Sequence, residues 1–239
     1  MDEHGPSGVR DRFCDALAAG AHAADASPRL ADRLCAACVG VLPFAGAGLS
    51  FGFRVDGRLP LGASDAVAAT AERLQFTTGT GPCSTAQRTR SEVVVSEQEI
   101  GDRWPGYAAR LREHTTYRSA VAVPVGGPLA GAVVLDLYST RPDRPAAGLL
   151  EDVRTVAAVV GEELATVLGA GDRPALGLPD ALQTAAVAAR QQVWVAVGAL
   201  AQRQGTDAAG ALALLRGLAF AHDLDLETAA DRVVRDELG

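Results

Sequence analysis

The stretch Gly169 to Pro179, with Gly169, Gly171, Pro174, Gly177 and Pro179 in eleven positions, constrains this chain most, because no regular element runs through it. Before it, helical and strand-like patterns alternate. After it, every pattern is helical. A chain of 239 residues has room for two domains. The boundaries expected are a tail and helix over 1–27, an α+β domain over 28–168, a linker over 169–179 and a three-helix module over 180–239.

In the first unit, Phe13, Leu17 and Ala21 share one side of a helix from Val9 to about Ala21. Ser27-Pro28 reads as a helix start, with serine as cap and proline in the first turn, and Pro43 stops that helix. Ala47 to Val55 alternates as a strand, Asp56-Gly57 signals a hairpin, and Arg58 to Leu61 returns. Ser64-Asp65 caps a helix with Val67, Ala71 and Leu74 inward, and Gly79-Thr80-Gly81-Pro82-Cys83 forms a turn-rich loop. Further strands are expected at Val93 to Val95, Arg118 to Val125 and Leu129 to Tyr138, the last two joined at Gly126-Gly127-Pro128 as antiparallel neighbours. Leu150, Val153, Val156, Val160, Leu164 and Val167 line one side of a long helix, which either packs on the sheet or pairs with a second subunit. Such an order predicts an α+β domain with a central antiparallel sheet flanked by helices.

Charge and motifs narrow the chemistry. The net charge of −7 argues against a globally basic nucleic-acid binder. No apolar run reaches the ~18 residues needed to span a bilayer. With no basic-then-apolar leader, a cytoplasmic location is expected, with Cys14, Cys35, Cys38 and Cys83 as reduced thiols. Cys35 and Cys38 lack a second pair at zinc spacing, so no metal is expected. The histidines are scattered, and Gly79-Thr80-Gly81 lacks the lysine and serine of a phosphate loop. The expectation is a chain that is not an enzyme and carries no cofactor.

In the second unit, Leu182, Ala185, Ala189, Val193, Ala196 and Leu200 form one apolar stripe, closed at Gly205. Thr206-Asp207 caps a helix carrying Ala211, Leu212, Leu215 and Leu218. A third helix, with Leu226, Ala229, Ala230, Val233 and Val234, follows Asp223-Leu224-Asp225. On periodicity alone this is a small helical packing or dimerisation module.

Two resemblances sharpen that reading. Arg190 to Leu200, Leu182-Gln183, Ala211 to Arg216 and Leu226 to Val234 resemble the ANTAR domain, the RNA-binding output module of bacterial antitermination regulators. The Gly79 to Cys83 turn, Asp102 to Pro105, Arg118 to Val125 and Gly131 to Tyr138 resemble the GAF domains that precede ANTAR modules. An arginine-only cation set suits a GC-rich, actinobacterial-type genome. The ANTAR resemblance implies RNA stem-loops as partners, a homodimer, and Arg190, Ala196, Gly198, Arg203 and Arg216 as the RNA-binding surface. The GAF resemblance implies a small-molecule pocket, for which Phe51, Phe53, Phe76, Trp104, Tyr107 and Arg118 are candidate lining residues. Some GAF-fold proteins are methionine-sulfoxide reductases, and Cys83 alone sits in a loop of the right sort for that chemistry. From Ala181 onward five arginines face seven carboxylates, which lowers the affinity expected for RNA. The alternative is a GAF-like sensor whose C-terminal helices serve dimerisation or protein interaction only.

Overall fold

Why this chain builds a sheet with two unlike faces follows from the alternation of its strands. The computed structural model describes residues 8–21, 29–52, 57–170 and 184–238. Five strands, β1 (Gly46–Gly52), β2 (Arg58–Ala63), β3 (Val93–Val95), β4 (Ser119–Pro124) and β5 (Val133–Ser139), form an antiparallel sheet in the order β2-β1-β5-β4-β3. Leu49, Leu61, Val121, Val123, Leu135 and Leu137 point to one face and make a core with helices α1 (Val9–Ala21) and α2 (Leu30–Val41). The opposite face presents Ala120, Ala122, Val134 and Tyr138 to helices α3 (Ala66–Thr78), α4 (Pro82–Thr89), α5 (Glu97–Arg103) and α6 (Pro105–His114). This is the expected α+β architecture.

Helix α7 (Leu149–Ala170) lies on the first face. Val153, Val156, Val160 and Leu164 are buried there with Phe13 and Leu17 of α1. Its apolar side therefore meets this chain's own sheet and α1, and the pairing of that side with a second subunit is corrected. Cys35 and Cys38 are small residues of the same core. Burial pushes the Cys38 thiol up to about 12.

Several boundaries move. The Ser27 cap, Asp56 and most of the Gly169–Pro179 stretch lie outside the described residues. Helix α2 begins at Leu30 after an extended Arg29 that offers no side-chain cap. Asp65 caps α3, accepting from the amides of Val67 and Ala68. The inner face of α3 includes Ala71 and Leu74 as expected, but not Val67. Val67 is exposed, and Glu72 and Gln75 are buried. Cys83 belongs to the first turn of α4 and not to a loop.

From residue 184 onward come α8 (Ala185–Gln204), α9 (Ala208–Ala221) and α10 (Leu226–Val234). Gly205 closes α8 in the left-handed conformation, Asp207 caps α9 and Asp225 caps α10. Their core unites Val193, Ala196, Leu200, Leu212, Leu215, Leu226, Ala230 and Val233. Phe76 of α3 is part of it, so the last turn of α3 is inserted into the helical module. Among the described residues, no helix is long and apolar enough to cross a membrane.

Candidate functional site

Strand parity puts an unusual set of side chains under α3 and α4. On β1, Ala47 and Leu49 face the first core, so Gly48 and Ser50 face the other way. On β5, Leu135 and Leu137 alternate with Asp136 and Tyr138. Arg58 opens β2 beside Gly52. From above, α3 contributes Glu72 and Gln75, and α4 contributes Cys83. Ser50, Arg58, Glu72, Gln75, Cys83, Asp136 and Tyr138 are all buried.

These groups form one network. The Arg58 Nη2 donates to Ser50 Oγ at 3.1 Å, Glu72 Oε2 at 3.3 Å and Cys83 Sγ at 2.7 Å. The Tyr138 hydroxyl donates to Glu72 Oε1 at 2.5 Å and accepts from Gln75 Nε2 at 2.9 Å. Gln75 Oε1 in turn accepts from the Cys83 amide at 2.9 Å. Tyr117 stacks on Tyr138 with ring centroids 4.9 Å apart. Gly48 leaves room for the network, because a Cβ there would lie 2.6 Å from Glu72 Oε1.

Part of the bonding capacity is unused. Among the described residues, Arg58 Nε and Nη1 find no partner, and neither Asp136 oxygen accepts a well-formed hydrogen bond. Buried polar groups are nearly always satisfied, and exceptions mark places with a further role. Burial pushes the Asp136 carboxyl well above the ordinary carboxylate range; Glu72 adds to the rise and Arg58 opposes it. Burial likewise drives the Cys83 thiol up, against the pull of Arg58. Burial disfavours the Arg58 charge, but Cys83, Glu72 and Asp136 outweigh that and raise its pKa. Glu72, Cys83 and Asp136 place ligating atoms within 4.8 Å of one another, the one such group among the described residues with metal-binding spacing. The guanidinium of Arg58 already supplies positive charge among them.

The residues expected to line a pocket are not gathered. Phe51 packs against the first core, on the other side of the sheet. Phe53 lies outside the described residues. Phe76 serves the helical module. Trp104 and Tyr107 pack in the second core, with the Arg103 guanidinium 4.3 Å from the Trp104 ring centroid. Arg118 turns back onto its own backbone neighbourhood, donating to the carbonyls of Thr115 and Tyr117. Of these residues that are described, Tyr107 borders the network, its ionisation disfavoured first by burial and then by Glu72, Asp136 and Cys83. Ser50, Arg58, Glu72, Gln75 and Asp136 were missed. The available signal was Asp136, a carboxylate inside the apolar run Val133 to Tyr138.

The RNA-binding set is also divided. Arg190 is 2% exposed, and Ala196 is buried. Gly198 is on the surface, and nothing among the described residues outside its own helix turn lies within 4 Å of the position its Cβ would take. Arg203 pairs with Asp236 at 2.5 Å, and Arg216 donates to the Phe76 carbonyl at 3.5 Å. The five residues named for an RNA-binding surface therefore do not share one face: Arg190 and Arg216 turn toward α3. Near Arg190, a cavity of about 490 Å³ is bordered by Asp32, Leu61, Glu72, Ala189, Asp225 and Glu227 among others.

No family model matches the sequence, and no curated relative matches it. Solved structures similar to it include the GAF domain of a phosphoenolpyruvate-protein phosphotransferase from Coxiella burnetii. That match is 13% identical, covers 69% of this chain and 99% of the other, and has a TM-score of 0.48. The free methionine-R-sulfoxide reductase of Neisseria meningitidis, solved with its substrate, is 16% identical over 72% of this chain and 99% of its own, at a TM-score of 0.45. The Staphylococcus aureus counterpart in reduced form is 14% identical over 68% and 99%, at 0.43. Two of these neighbours are reductases, and the expectation that the chain is not an enzyme is withdrawn on that account.

Proposed function

We propose that the chain is a small-molecule-responsive regulator with a GAF-like sensing domain, divided near residues 169–179 from an ANTAR-like output module. The single observation that carries the sensing role is the buried Arg58–Glu72–Cys83–Asp136 network, whose donors and acceptors the protein uses only in part. A ligand meeting both Arg58 and Asp136 presents an acceptor and a donor on one small polar frame. Melting curves across a set of polar metabolites test this. Binding at 100 times Kd stabilises by about 2.7 kcal/mol, and so raises the melting temperature by roughly 5–10 °C. The rise should be absent in Asp136→Asn. A screen in which no compound moves the wild-type curve overturns the sensing role.

The output we propose is RNA stem-loops in a nascent transcript, bound so that a terminator does not form. Support for it is the sequence resemblance of Arg190 to Leu200 and of the two helices that follow. A second reading, interaction or dimerisation without RNA, is favoured by the engagement of Arg190, Arg203 and Arg216 inside the chain. A low-salt gel shift with paired stem-loops separates the two. Failure to form a complex at protein concentrations on the order of tens of micromolar leaves only the second.

A further inference from the structure

The two units meet through groups that share backbone with the buried network. Arg58 is the first. Its guanidinium lies inside the network, and its carbonyl accepts from Arg190 Nη1 at 2.9 Å. Helix α3 is the second. Glu72 and Gln75 turn inward to Tyr138 and Cys83, while the next two residues, Phe76 and Thr77, face the helical module. The Leu226 amide, at the start of α10, donates to Thr77 Oγ1 at 3.2 Å.

Arg190 closes this junction. Its guanidinium carbon lies 3.3 Å from the Phe76 ring centroid, and its Nη2 is 2.8 Å from Glu227 Oε1. A buried arginine is tolerated only with such partners, and here they come from β2, α3 and α10 together. Displacing α3 or Arg58 by an ångström leaves that charge without one of them. Interfaces packed in this way have discrete arrangements and do not deform smoothly.

We infer that Arg190, Phe76 and Arg58 form a latch. It holds the C-terminal module against the sensing domain while the network is closed, and rearrangement of the network around Arg58 and Glu72 releases it. The docked form withholds Arg190 from any partner of the module. This rests on the reading of the network as the sensing site, but the latch is a coupling between two places in the chain and is measurable without ligand or RNA. Coupling is reciprocal, so loosening either end must loosen the other.

The experiment uses the full chain and two readouts. Hydrogen exchange follows the Leu226 amide region, and alkylation mapped by mass spectrometry follows the buried Cys83. Glu72→Gln, at the network end, should speed exchange around Leu226 by about fivefold or more, with α7 still protected. Phe76→Ala, at the docking end, should speed Cys83 alkylation by a similar factor. Should Phe76→Ala also strip protection from α7, Thr77→Val, which removes only the acceptor for Leu226, takes its place with the same expectation. The latch is overturned if each variant changes only its own end. A gel shift on the opened variant keeps the two ideas apart: an opened chain that holds no stem-loop removes the RNA output and leaves the latch standing.

Discussion

Asp136 is the residue whose environment departs most from what a carboxylate needs. In the folded chain its pKa lies well above the ordinary 3.8, because burial and then Glu72 disfavour the charge. The folded state therefore holds this proton where the unfolded chain gives it up. The stabilisation from that proton is complete below about pH 4 and is lost as pH rises through the raised value. Urea unfolding at about pH 4 and about pH 8 should show the wild type losing stability relative to Asp136→Asn; parallel losses would mean the carboxyl is not held protonated. Gly48 makes the complementary point, because its missing Cβ is what lets Glu72 sit against β1. Gly48→Ala should cost about 1–3 kcal/mol by overpacking. An unchanged urea midpoint would show that Glu72 moves aside freely. Asp136 was visible in the sequence as a charge in an apolar strand, but Gly48 was one glycine among 26.

At the scale of elements, local chemistry set most of the ends. Asp65, Asp207 and Asp225 each accept from amides of the helix they precede, as their spacing before apolar runs predicts. Asp65→Ala should destabilise the chain by about 1 kcal/mol, read as a shift of the urea midpoint at constant slope. The facing of α3 was less legible. Apolar spacing turned Val67, Ala71 and Leu74 inward; Ala71 and Leu74 are buried, but Glu72 and Gln75 are buried beside them and Val67 stays exposed. An apolar stripe is a guide only where the surface opposite is apolar, and here β1 and β5 offer Ser50, Asp136 and Tyr138. Helix α8 repeats the lesson. Its buried side runs through Val187, Arg190, Val193, Ala196, Val197 and Leu200, while Ala185 stays exposed. A buried arginine inside that stripe follows from Phe76 and Glu227, which lie far away in sequence.

For the whole molecule, the arginine that docks on β2 and α3 is itself held by an ion pair within the C-terminal helices, Arg190 of α8 with Glu227 of α10. Removing one partner leaves the other charge buried alone, so Glu227→Gln should cost about 3 kcal/mol. Combined with Arg190→Met it should cost clearly less, because the apolar replacement packs on Phe76 without a charge to satisfy. Additive losses in a double-mutant cycle would place the two residues outside each other's influence. The sequence by itself determined the helices of the C-terminal module, the antiparallel pairing of β4 with β5 and the α+β character of the first unit. Caps, hairpin signals and periodicity act over a few residues, and a few residues suffice to express them. Only the tertiary structure decided that Ser50, Arg58, Glu72, Cys83 and Asp136 share one buried network and that Arg190 turns inward. Both outcomes require strands and helices from distant parts of the chain to meet, and the energy of a buried charge depends on what it meets.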